Sequence, residues 1–85
     1  MSQVKKLIKR MQRTQIGFRF EEVLQVLHYL GYLERPGGGS HHVFTHPDPD
    51  LSLIMVEKPH GGRKDCDRHD VQKVVDAIAI WERKS

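Results

Sequence analysis

Between Gly37 and His46 the chain places three glycines, one serine and three of its six histidines within ten residues, ending against Pro47. Imidazole is the side chain able to give or take a proton near neutral pH, and a histidine that begins a strand directly after a glycine turn sits at a rim, where a ligand can reach it. Three consecutive glycines allow positive φ and close approach of another chain. The chemistry on offer is proton transfer beside a bound anion, with His41, the residue that opens the strand, as its first candidate.

Other residues could join them. Lys58 and His60 follow the next apolar run, and Arg63 and Lys64 close a His60-Gly61-Gly62-Arg63-Lys64 segment that reads as a basic loop. His46 has a plainer use, a hydrogen bond into the Pro47-Asp48 turn. His28 borders an apolar helix stripe and reads as a boundary side chain without chemistry. A zinc site from His42-x3-His46 and Cys66-x2-His69 is disfavoured, because on a strand the two histidines stand roughly 13 Å apart.

The elements that must hold these groups follow from periodicity. Ser2 to Arg13 carries Val4, Leu7, Ile8 and Met11 at helical spacing with Lys5, Lys6, Lys9, Arg10 and Arg13 around the rest, a basic amphipathic helix that Ser2 could cap. A second helix starts near Phe20, with Phe20, Val23, Leu24, Leu27 and Leu30 as its stripe, Glu21 and Glu22 in the first turn and Gly31 as terminator. Tyr32 to Arg35 is a brief strand. His41 to His46 is the second, with His41, Val43 and Thr45 on one face and His42, Phe44 and His46 on the other.

Pro47 to Asp50 is a turn, and Leu51 to Val56 reads as a third strand with Leu51, Leu53 and Met55 on one side and Ile54 and Val56 on the other. The last helix begins at an Asp67 N-cap with Asp70 placed for a near capping box, and buries Val71, Val74, Val75, Ile78 and Trp81. The connections between strands are too short for crossovers, so the sheet is antiparallel, in an α+β order of helix, helix, three strands, helix, with helices on one face. The other face is left bare for a partner, or else the first helix folds over it.

Eighty-five residues form one domain, 1–85, with a thin core. One cysteine excludes an intrachain disulfide and fits a reducing cytoplasm. No apolar run suits a signal peptide or a membrane span. The net charge is +3, and its distribution is uneven: residues 1–35 hold seven Lys or Arg against three acids, residues 36–85 seven against eight. A basic front suits an anionic partner such as nucleic acid, although a solvated helix face carries the same pattern.

Phe20-Glu21-Glu22 running through Leu30-Gly31-Tyr32 into Gly39-Ser40-His41-His42-Val43-Phe44, then His46-Pro47, then His60-Gly61-Gly62 before Val71-Gln72-Lys73-Val74-Val75, resembles the HicA toxin family over residues 18–80. Residues 1–17 add a basic helix and linker. The resemblance implies a fold like the double-stranded-RNA-binding domain and a metal-independent endoribonuclease that cleaves mRNA. It also implies a HicB-like antitoxin partner and His41 as the catalytic residue, with no cofactor. On that reading Gly39, Ser40, His42, Lys58, His60, Arg63 and Lys64 would line the RNA path, with Lys58 and His60 ranked first as partners of His41. Where relatives carry lysine, proline and an aromatic residue, this chain has Lys64-Asp65-Cys66-Asp67-Arg68-His69. An RNA-binding module of the same fold without cleavage is the alternative.

Overall fold

The structure, a computed structural model, describes residues 3–35 and 39–84. Its elements are α1 (Gln3–Arg13), α2 (Phe20–Leu30), β1 (Leu33–Arg35), β2 (His41–Thr45), β3 (Ile54–Glu57) and α3 (Arg68–Lys84). The α+β order is the expected one, and the three strands form an antiparallel sheet in the order β1-β2-β3. The suggested Ser2 cap lies outside the described residues.

Each helix forms for local reasons. α1 buries Ile8 and Met11 and leaves its lysines in water. At the start of α2 the Arg19 N–H donates to Glu22 Oε1 at 2.9 Å, satisfying a donor that the helix itself cannot. At its end Gly31 takes φ +100°, and the Gly31 and Tyr32 N–H groups donate to His28 O and Leu27 O, both at 3.0 Å. That paired closure needs a left-handed residue, which glycine adopts without strain. The buried face of α2 is wider than the expected stripe and includes Val26, while Leu24 is only partly covered.

Asp67 caps α3, its Oδ1 accepting the His69 N–H at 2.8 Å. Asp70 does not complete a capping box. Its Oδ2 accepts the Glu57 N–H at 3.1 Å and its Oδ1 takes Lys73 Nζ at 3.0 Å, while the same ammonium donates to Met55 O at 3.1 Å. The first turn of α3 thereby covers polar groups on the open edge of β3, an edge that would otherwise invite another strand.

Register assigns the two faces of the sheet. His41 pairs with Glu57, His42 with Val56, Val43 with Met55, and Phe44 with Ile54 and Glu34. Residues directly opposite share a face. Phe44, Ile54 and Val56 are therefore buried beneath α2 and α3, and a fully buried Phe44 contributes about 1.5–3 kcal/mol.

Two expectations need correction here. The third strand begins at Ile54 and not at Leu51, because the chain still turns there, with Leu51 N–H donating to Asp48 O at 3.0 Å. Leu51 is consequently buried, whereas Leu53 and Met55, expected on its side, are exposed. α1 packs on α2 and α3 and does not fold over the sheet, so the outer face stays uncovered at Leu33, Leu53 and Met55.

Candidate functional site

Residues 36–38, with two of the three glycines, lie outside the described residues. Gly39 has a left-handed φ of +84°, and a Cβ there would meet no described atom within 4 Å. Ser40 follows, and its carbonyl accepts the Lys58 N–H at 2.7 Å. This bond extends the β2–β3 ladder by one step and fixes where His41 begins its strand.

The two neighbouring histidines then separate, as strand geometry requires. His41 stands on the outer face with its side chain 61% exposed, and its Nε2 lies 3.7 Å from Glu57 Oε2. At that distance the contact is an ion pair when the ring is protonated and not a hydrogen bond when it is neutral. His42 points inward and is 23% exposed. Its Nδ1 lies 2.6 Å from Glu34 Oε2. A carboxylate only accepts, so Nδ1 carries the proton and Nε2 is left without a described protein partner. The ring also packs against Phe20, centroids 4.8 Å apart at 57°.

Lys58 belongs to the same side as His42. Its Nζ lies 5.8 Å over the Phe20 ring, so the ammonium and the imidazole share one aromatic support. The expected pairing of Lys58 with His41 is thus limited to the backbone, through Ser40. His60 is exposed on the following loop, where its carbonyl accepts the Arg63 N–H at 3.4 Å. Arg63 reaches toward Asp67 Oδ2 at 4.0 Å. With Lys64 it lines a shallow hollow that includes Ile16 and Gly17. The structure therefore gathers Gly39, Ser40, His41, His42 and Lys58 at one end of the sheet, and gives Arg63 and Lys64 different neighbours.

At the far end of β2, His46 is fully engaged. Its Nδ1 accepts the Asp48 N–H at 2.9 Å, which leaves the proton on Nε2 to be donated to Leu30 O at 2.7 Å. Tyr32 packs edge-on against the ring at 5.0 Å. The turn bond read from Pro47-Asp48 is present, and neither ring nitrogen is available to a ligand. Cys66 is buried, and desolvation with the nearby acids pushes its thiol up to about 11, so it stays protonated and inert at neutral pH.

The sequence alone does not mark Glu34, Glu57 or Phe20 as site residues. Glu34 and Glu57 would have followed from the strand register once two hairpins were drawn, since each carboxylate stands beside its histidine only through pairing. Phe20 was assigned to the helix core, and its contact with His42 depends on how α2 lies over the sheet.

The fold and this end of it define a small α+β domain that presents two histidines on opposite faces at one strand start, each with a carboxylate partner. No family model, curated protein or solved structure matches the chain.

Proposed function

We propose that the chain is a HicA-like toxin, a metal-independent endoribonuclease that cleaves mRNA in the cytoplasm and is neutralised by a HicB-like antitoxin. The observation that carries this reading is His41, an exposed imidazole at a strand start, one residue beyond the left-handed Gly39 and beside the Glu57 carboxylate. Its Nε2 takes the proton of a ribose 2′-hydroxyl, and the 2′-oxygen attacks the adjacent phosphorus. Glu57 offsets the charge that the ring then acquires. Proton transfer of this kind is worth roughly 10²–10⁴-fold in rate. The Gly39 and Ser40 N–H groups and the Ser40 hydroxyl would serve as hydrogen-bond donors to phosphate oxygens.

Charge on α1 supports an RNA partner. Lys5, Lys6, Lys9 and Arg13 form no ion pair among the described residues, while Arg10 is occupied by Gly17 O at 3.0 Å, Glu22 at 3.5 Å and the Phe18 ring. Replacing those four by Gln should reduce the slope of log affinity against log salt by about 3 for a single strand.

The deciding experiment incubates purified protein with RNA in EDTA and maps the ends. Cleavage leaving 2′,3′-cyclic phosphate, abolished in His41→Ala with RNA affinity retained, is the expected result. Binding without cleavage by the unsubstituted protein would establish the RNA-binding alternative. Co-expression with a HicB-like protein should relieve the growth arrest that the chain causes by itself.

A further inference from the structure

We propose that His42 is the general acid of the cleavage reaction, handing its Nε2 proton to the departing 5′-oxygen while His41 takes the 2′-hydroxyl proton; this rests on the endoribonuclease reading above. In an in-line displacement at phosphorus, the attacking and leaving oxygens lie on opposite sides of the phosphorus atom. Base and acid must therefore approach from opposite sides. Consecutive residues of a strand project to opposite faces, and His41 and His42 are the first two residues of β2, directly after the Gly39-Ser40 turn. A phosphate lying off the start of the strand, beside Gly39, where a Cβ would meet no described atom within 4 Å, would be approached by one ring from each face of the strand.

His42 is also the better positioned of the two. The Glu34 carboxylate 2.6 Å from Nδ1 fixes the ring plane and is the counter-ion that a doubly protonated imidazole needs, and Phe20 limits tilting. Nε2 is the nitrogen left to reach a ligand. Lys58, over the same Phe20 ring, adds positive charge near the phosphate. Other candidates fit less well: both ring nitrogens of His46 are engaged, and His60 is exposed on the loop after β3 with no described group holding its ring.

The step balances. The 2′-O–H proton passes to His41 Nε2, the 2′-O–P bond forms and the P–5′-O bond breaks. The 5′-oxygen receives the His42 Nε2 proton, giving a 2′,3′-cyclic phosphate, a 5′-hydroxyl, a protonated His41 and a neutral His42. Exchange of one proton each with water restores the starting state. Glu34 is a positioning residue in this scheme, acting only through His42.

A leaving-group test separates an acid from a structural residue. In a dinucleotide whose 5′-bridging oxygen is replaced by sulfur, the thiolate departs without a proton, being far less basic than an alkoxide. His42→Ala and His42→Gln should cleave ordinary RNA about 10²–10³-fold more slowly, yet cleave the sulfur linkage within about threefold of the unsubstituted protein. Glu34→Gln should show the same pattern with a smaller loss on RNA, and His41→Ala should lose both reactions. Equal slowing of both linkages by the His42 variants, with melting temperatures unchanged, would overturn the assignment and leave a positioning role. Undiminished RNA cleavage by them would remove His42 from the reaction altogether. If the unsubstituted protein cleaves neither substrate, the endoribonuclease reading itself has failed.

Discussion

The two ends of β2 use the same side chain in opposite ways. At its C-terminal end His46 joins three elements: Leu30 at the end of α2, the Asp48 turn, and Tyr32, whose hydroxyl continues to Ser52 O at 2.8 Å. Gly31 is pressed so closely beneath the ring that a Cβ would come 2.8 Å from Nε2. At the N-terminal end His41 has one loose carboxylate contact and His42 keeps one nitrogen unclaimed. Saturated hydrogen bonding makes an imidazole a joint. Leaving a nitrogen open, with the ring still held, makes it available for proton transfer. Removing the first kind should therefore harm stability, and removing the second kind should harm activity alone.

The largest effect is expected at the open end. His41→Ala should lower RNA cleavage by roughly 10²–10⁴-fold, while thermal unfolding moves by no more than about 0.5 kcal/mol, as for an exposed surface substitution. At the closed end the order inverts. Gly31→Ala forces a non-glycine residue into φ +100° and drives a methyl group against His46, a combined loss of roughly 2–4 kcal/mol. In a domain this small that lowers the melting temperature by about 10 °C or more, with cleavage by the folded fraction unchanged. His46→Ala should cost somewhat less, about 1–3 kcal/mol, by leaving Leu30 O and the Asp48 N–H without their partner. His46→Asn, able to replace only the Nδ1 acceptor, should fall between. Loss of cleavage in folded His46→Ala, or of stability in His41→Ala, would erase the distinction between the ends.

Much of this contrast is legible in the sequence. The alternation through His41-His42-Val43-Phe44-Thr45 assigned faces correctly, because period 2 is a local property of extended chain. The turn bond of His46 followed from the adjacent Pro47-Asp48, also local. Legibility failed where register or packing decides. Leu51 was assigned to the third strand because its apolar neighbours continue the run, yet the Asp48–Leu51 turn delays the strand and points Leu51 inward. Asp70 suited a capping box by spacing, but the β3 edge offers it the Glu57 N–H instead. Phe18, between the first two helices, is fully buried although it belongs to neither helix stripe. Its carbonyl accepts the Cys66 N–H at 2.8 Å, a pairing across 48 positions that no local pattern announces.

The smallest predicted effect concerns the closed end's surface. Lys84, in the last turn of α3, donates to Asp48 Oδ1 and Oδ2 at 3.0 and 2.8 Å and to Asp50 Oδ2 at 2.7 Å, tying the helix end to the turn that holds His46. The Lys84 hydrogen bond is the main reason that the Asp48 carboxyl sits below its usual 3.8, helped by the Asp50 N–H; the same bond raises Lys84 above its usual 10.5. A lowered carboxyl contributes stability that is complete above the unfolded value and disappears as pH falls through the folded one. A raised ammonium contributes up to its unfolded value and loses that contribution as pH rises beyond it. The cluster thus helps across the neutral range and fails at both extremes, with water and salt keeping its contribution small. Asp48→Asn retains an oxygen for the Asp50 N–H, bonded at 2.9 Å, and removes the charge together with the second oxygen that accepts from Lys84. Melting temperatures measured against pH should show this variant slightly less stable than the unsubstituted protein at pH 7. The two curves should converge as the pH falls below 3.8. A gap that persists undiminished into acid would mean that Asp48 acts through turn geometry and not through its charge.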